Sequence, residues 1–152
     1  MKMLHIESDE AMQALGIRLA KACQSHGVIY LKGELGTGKT TLVRGLLRAL
    51  GHEGAVKSPT FTLVEPYTVN GGDVYHFDLY RLSDPEELEF MGLREYFAPE
   101  NLCLIEWPQQ GGAMLPKSDL LIELEHDGLA RNLKISAQTP HGEEILKAID
   151  DL

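Results

Sequence analysis

Apolar positions along this chain change period from one stretch to the next, and the changes lay out an alternation of strands and helices. Residues 3–7 read as a short strand, after which Ser8 stands as a helix cap with Asp9 and Glu10 in the first turn, where carboxylates favour the helix dipole. Met12, Leu15, Leu19 and Ala22 recur at helical spacing, and Gly27 closes the region. Residues 28–31 are an uninterrupted apolar run, the pattern of a strand buried on both faces of a parallel sheet. A glycine-rich turn follows, then a helix whose one face carries Leu42, Val43, Leu46, Leu47 and Leu50, with Gly51 at its C-terminal cap.

Further on, residues 61–69 and 74–79 read as two strands joined by Asn70-Gly71-Gly72-Asp73, a hairpin signal. Alternation in the second strand puts Tyr75, Phe77 and Leu79 on one face and His76, Asp78 and Tyr80 on the other. Asp84-Pro85-Glu86-Glu87 spells a helix start, with a cap, proline at the first position and glutamate at the capping-box position. Residues 102–105 form another apolar strand ending at Glu106-Trp107-Pro108, residues 119–125 and 129–136 a second hairpin around Asp127-Gly128, and residues 143–152 a short terminal helix with Ile145 and Ile149 on one side. With no linker and no repeat, the 152 residues read as one α/β domain, a three-layer sandwich with a mixed central sheet whose parallel part carries the site.

Composition narrows the partners. A formal net charge of −9 and no lysine- or arginine-rich run argue against autonomous binding of nucleic acid, which calls for a basic stripe to replace condensed counterions. No apolar run reaches membrane length. Cys23 and Cys103 lack metal spacing and read as buried packing residues in a reducing compartment, so a cytoplasmic protein is expected; the scattered histidines give a zinc site no support.

The chemistry concentrates in Gly33-Glu34-Leu35-Gly36-Thr37-Gly38-Lys39-Thr40, a full match to GxxxxGK[ST]. Glycines there let backbone N–H groups approach phosphate oxygens, Lys39 reaches the β- and γ-phosphates, and the Thr40 hydroxyl coordinates Mg²⁺. Thr41 opens the following helix, where amides and dipole favour anions, and its hydroxyl is placed for an α-phosphate. Chance produces the pattern in on the order of one chain in a few hundred of this length, so the buried strand before it and the amphipathic helix after it decide the reading: an ATP site with Mg²⁺. Mg²⁺ calls for a carboxylate at the end of a neighbouring strand. Glu106 follows the cleaner apolar run and has the better claim; Asp78 orients water or helps hold the metal shell, or is merely a polar position on a strand face. Ser58-Pro59-Thr60-Phe61-Thr62 sits where nucleotide-sensing segments occur, and equally reads as a turn before a strand. Trp107, the one tryptophan, fits a nucleotide-dependent interface or the core. Arg81 reaches phosphate or a partner, or pairs with Asp84 at the surface.

Together the P-loop through Thr41, Ser58-Pro59-Thr60-Phe61, His76-Phe77-Asp78-Leu79-Tyr80-Arg81 and Ile105-Glu106-Trp107 resemble the TsaE family, known earlier as YjeE, over most of the chain. The resemblance implies a P-loop ATPase required for threonylcarbamoyladenosine (t6A) modification of tRNA at the adenosine next to the anticodon, hydrolysing ATP with Mg²⁺ and acting with TsaD and TsaB, which carry the transfer and handle the tRNA. It assigns Thr40 and Glu106 to the metal, Lys39, Asp78 and Glu106 to catalysis, and Thr60, Tyr80, Arg81 and Trp107 to switch and partner contacts. Rival readings are a small-molecule kinase, for which residues 82–99 are too acidic to form an anion-clamping lid, a GTPase switch, for which NKxD and DxxG are missing, and a binding module whose nucleotide only gates docking.

Overall fold

A computed structural model describes residues 1–59 and 62–150 of the chain. Its strands are β1 (Lys2–Ile6), β2 (Gly27–Gly33), β3 (Val64–Val69), β4 (Gly72–Asp78), β5 (Leu102–Glu106), β6 (Leu120–Asp127) and β7 (Ala130–Ala137). They form one mixed sheet in the order β1-β7-β6-β2-β5-β4-β3. The four central strands, β6, β2, β5 and β4, run parallel; β7 and β3 pair antiparallel at the flanks, and β1 pairs antiparallel to β7 at the outer edge. The apolar runs of β2 and β5 therefore occupy the middle, where both faces are covered and a period-2 pattern is not required. Pro66 lies in β3, at the sheet's edge, where a missing N–H costs no ladder bond.

Helices α1 (Asp9–Cys23), α2 (Lys39–Ala49) and α5 (Pro140–Asp150) supply the core on one face, packing Met12, Leu15, Leu19, Leu42, Leu46 and Ile145 against Ile29, Leu31, Leu104, Ile122 and Ile135. Ser8 caps α1 as expected, its hydroxyl accepting the Ala11 N–H at 3.1 Å. Helices α1 and α2 cross with their backbones in close approach, because a Cβ at Gly16 would clash with the Leu42 carbonyl and one at Gly45 with the Gln13 carbonyl. Among the described residues the opposite face is covered over β2, β5, β4 and the start of β3. There the short turns α3 (Glu87–Phe90) and α4 (Leu93–Tyr96) and two 3₁₀ turns bring Leu82, Leu88, Leu93 and Leu115 onto Phe77, Cys103 and Ile105. The third layer is thus present but thin.

Several expectations shift. The first hairpin's leading strand begins at Val64: residue 61, its expected start, lies outside the described residues, and Leu63 takes a left-handed φ of 67° with its N–H on the Pro59 carbonyl, which breaks extension before Val64. The linker tightens to Asn70-Gly71, since Val69 already pairs with Gly72. Gly27 starts β2 rather than closing α1, whose end is turned by Gln24 and Ser25 at positive φ. The start spelled by Asp84 exists, with its carboxylate accepting the Glu86 N–H at 3.0 Å, but Gly92 at φ 70° splits the segment into two single turns. The last helix begins earlier than expected, capped by Thr139, whose hydroxyl accepts the Gly142 N–H.

Candidate functional site

The phosphate-loop motif joins the C-terminal end of the central strand β2 to α2. Gly36 and Gly38 take φ of 79° and 101°, and Gly38 caps α2 in the left-handed conformation that a side chain would strain. Thr37, wholly buried, folds the loop on itself by donating its hydroxyl and its N–H to the Glu34 carbonyl, at 2.8 and 3.3 Å. Glu34, Leu35 and Gly36 are exposed on the loop's crest, while Thr40 and Thr41 are half-buried in the first turn of α2. Side chains from the β6–β7 hairpin hold that crest: His126, at the end of β6, bonds the Leu35 carbonyl at 3.2 Å, and Arg131, at the start of β7, donates to the Gly36 carbonyl at 3.1 Å.

Lys39 is 5% exposed, and its ammonium donates to the Gly33 carbonyl at 2.5 Å while lying 4.2 Å above the Trp107 ring. Burial draws its pKa below the usual lysine value; the carboxylates of Glu106, Asp78 and Glu34 pull the other way. Asp78 and Glu106 sit side by side because β4 and β5 are parallel neighbours that pair these residues in register as both strands end. Both are buried, at 7% and 3% exposure. Asp78 Oδ1 accepts the Tyr80 N–H at 3.0 Å, and Glu106 Oε2 accepts from His76 Nε2 at 2.5 Å. Trp107 takes a left-handed φ of 57°, which turns its ring back over Lys39 and against Tyr80, 4.9 Å between centroids.

These groups line a cleft of about 410 Å³ with Leu35, Gly36, Gly38, Thr40, Thr41, Ser58, Asp9 and Arg131. Of the site residues drawn from the sequence, Lys39, Thr40, Thr41, Asp78, Glu106 and Trp107 meet there. Tyr80 does not line the cleft but touches two residues that do, Trp107 through its ring and Asp78 through its N–H; Arg81 is exposed and does not line it, and Thr60 lies outside the described residues. The expected polar strand face is not a solvated one: His76 is fully buried, and β4 ends before Tyr80. Asp9 and Arg131 went unmarked in the sequence. Asp9 read only as a first-turn carboxylate, and a lone arginine past a hairpin carries no local signal.

Among the described residues no cluster of three or more His, Cys, Asp or Glu side chains forms a metal cage. A hydroxyl and two carboxylates fit Mg²⁺ nevertheless, since that ion keeps waters and takes one or two carboxylates plus substrate phosphates.

A parallel-centred sheet with a GxxxxGK[ST] loop between its central strand and the helix on its face defines a P-loop α/β protein. Residues 6–133 match the family model described as "Threonylcarbamoyl adenosine biosynthesis protein TsaE", and the chain belongs to that family. It is 53% identical over 124 residues to the tRNA threonylcarbamoyladenosine biosynthesis protein TsaE of Haemophilus influenzae, covering 82% of this chain and 78% of that one. The protein of the same name from Bacillus subtilis is 37% identical over 119 residues, 78% of this chain and 74% of the relative. The crystal structure of Bacillus subtilis YdiB superposes with a TM-score of 0.83 at 28% identity, over 99% of this chain and 94% of that one.

Proposed function

We propose that this protein binds ATP with Mg²⁺ in the cleft, hydrolyses it to ADP and phosphate, and through that reaction serves t6A formation on tRNA, acting with TsaD and TsaB in the cytoplasm. Membership of the TsaE family and the names of its relatives support the role in t6A biosynthesis. The observation that carries the ATPase reading is the convergence of Lys39, Asp78, Glu106 and Trp107, from three separate stretches of sequence, on one cleft at the start of α2.

In this reading the P-loop amides and the N-terminus of α2 receive the phosphates. Lys39 leaves the Trp107 ring for them: a cation–π contact is worth about 0.5–2 kcal/mol, whereas each hydrogen bond to a charged group contributes about 1.5–3 kcal/mol. Thr40 and Glu106 hold Mg²⁺, which neutralises charge on the phosphate oxygens. Asp78 aligns a water with the γ-phosphorus; the new P–O bond forms as the bond to the β–γ bridging oxygen breaks, and the water's proton passes to a carboxylate or to solvent. The segment a kinase would need as a lid packs Leu82, Leu88 and Leu93 against the other face of the sheet, which favours hydrolysis over phosphoryl transfer to an acceptor.

Calorimetric titration of ATP tests the site. The wild type is expected to bind ATP, and Lys39→Ala to lose that binding; unchanged affinity in Lys39→Ala would mean that ATP binds somewhere other than this cleft.

A further inference from the structure

The group behind Glu106 has no assigned part in the reaction. His76 lies on β4 one side-chain repeat before Asp78, on the same face, and is completely buried. Its Nε2 meets Glu106 Oε2 at 2.5 Å, and its Nδ1 is buried with no hydrogen-bond partner among the described residues. A carboxylate accepts, so Nε2 carries the hydrogen. Glu106 Oε1, by contrast, has no hydrogen-bond partner among the described residues, and Glu106 lines the cleft.

We propose that His76 is a positioning residue for Glu106: its buried Nε2–H ties down one carboxylate oxygen so that the other is presented to the cleft in a fixed orientation. A glutamate side chain has three rotatable bonds, and register alone places only its Cα beside that of Asp78. The hydrogen bond from beneath removes the remaining freedom, as partners behind a ligating group do elsewhere, where their loss costs about 10- to 100-fold in metal affinity or activity. The proposal rests on the Mg²⁺–ATP reading of the site.

Substitutions at both positions separate the two. ATP affinity is measured by calorimetry with Mg²⁺ and with chelator for the wild type, His76→Leu, His76→Gln and Glu106→Gln, and for His76→Leu combined with Glu106→Gln, with thermal melts confirming that each is folded. His76→Leu is expected to lose about 10-fold or more of the Mg²⁺-dependent gain in ATP affinity while affinity in chelator stays put. His76→Gln, whose amide N–H reaches the place of Nε2–H, is expected to restore most of that gain. Adding His76→Leu to Glu106→Gln is expected to cost nothing further, because the histidine acts through the carboxylate. Nitrogen-15 correlation spectra of the wild-type imidazole, which need no nucleotide, are expected to show the hydrogen on Nε2. An undiminished Mg²⁺-dependent gain in His76→Leu, equal losses with and without Glu106, or an Nε2 that carries no hydrogen would each overturn the role of His76. A wild type whose ATP affinity ignores Mg²⁺ would instead overturn the metal reading beneath it.

Discussion

Lys39 and Trp107 make the site's chemistry readable one side chain at a time. The only tryptophan of the chain lies under the ammonium that the phosphates would claim. ATP is therefore expected to change the intrinsic fluorescence of the wild type, and to leave Lys39→Ala unchanged at the same concentration; a wild-type signal indifferent to saturating ATP would mean the ammonium stays on the ring. At the neighbouring carboxylates, Glu106→Gln is expected to lower Mg²⁺-dependent turnover by about 10-fold or more while ATP binding in chelator is kept. Equal turnover would transfer the metal role to Asp78. Most of these residues are legible in the sequence because a spaced motif and a strand end each leave a local mark. Asp9 and Arg131 carry no such mark as parts of the cleft, nor does the buried contact of His76 with Glu106, since these follow from the packing of α1, the return of β7 past the loop and strand register, all long-range facts.

Among the elements, the joint between α1 and α2 holds the P-loop helix in place. Alanine at an exposed helical glycine gains about 1 kcal/mol in helix propensity, but at Gly45 the new methyl would run into the Gln13 backbone. Overpacking of that kind costs about 1–3 kcal/mol or more, and the obstacle is main chain, so the loss wins. Gly45→Ala is expected to lower the melting temperature by roughly 2–12 °C, given roughly 2–4 °C per kcal/mol for a chain of this size. A raised melting point would show the helices to be free to move apart. Helical spacing in residues 9–23 and 39–50 and the apolar runs of β2 and β5 are local patterns strong enough to reveal these elements by themselves. The segment 82–97 does not yield so easily: its start signal is real, yet Gly92 at positive φ cuts the helix after one turn, and its leucines are committed to the sheet.

Taken whole, the molecule is an acidic scaffold with two of its cations, Lys39 and Arg131, turned to the cleft. Its core also contributes a pH dependence. Cys23 and Cys103 are fully buried, their thiols donating to the Ala20 and Tyr96 carbonyls, and burial pushes them up to about 11 and about 12. The unfolded thiol ionises near about 8.5. Above that pH the unfolded chain releases protons that the folded chain keeps, so the thiols' contribution is whole below about pH 8.5 and is lost as pH rises toward the folded values. The urea midpoint is expected to fall between about pH 8 and about pH 10, and to fall less in a Cys23→Ala, Cys103→Ala double variant; equal slopes would place the thiols outside the cause. Among the described residues no helix is long and apolar enough to cross a membrane.

The decisive experiment is phosphate release from Mg²⁺–ATP by this protein, alone and then with TsaB and TsaD added. Low release alone is expected, rising clearly when both partners are present and disappearing with Lys39→Ala. Release that the bound partners leave unchanged would contradict an ATPase working in t6A formation, and phosphate appearing only on an added acceptor would put a kinase in its place.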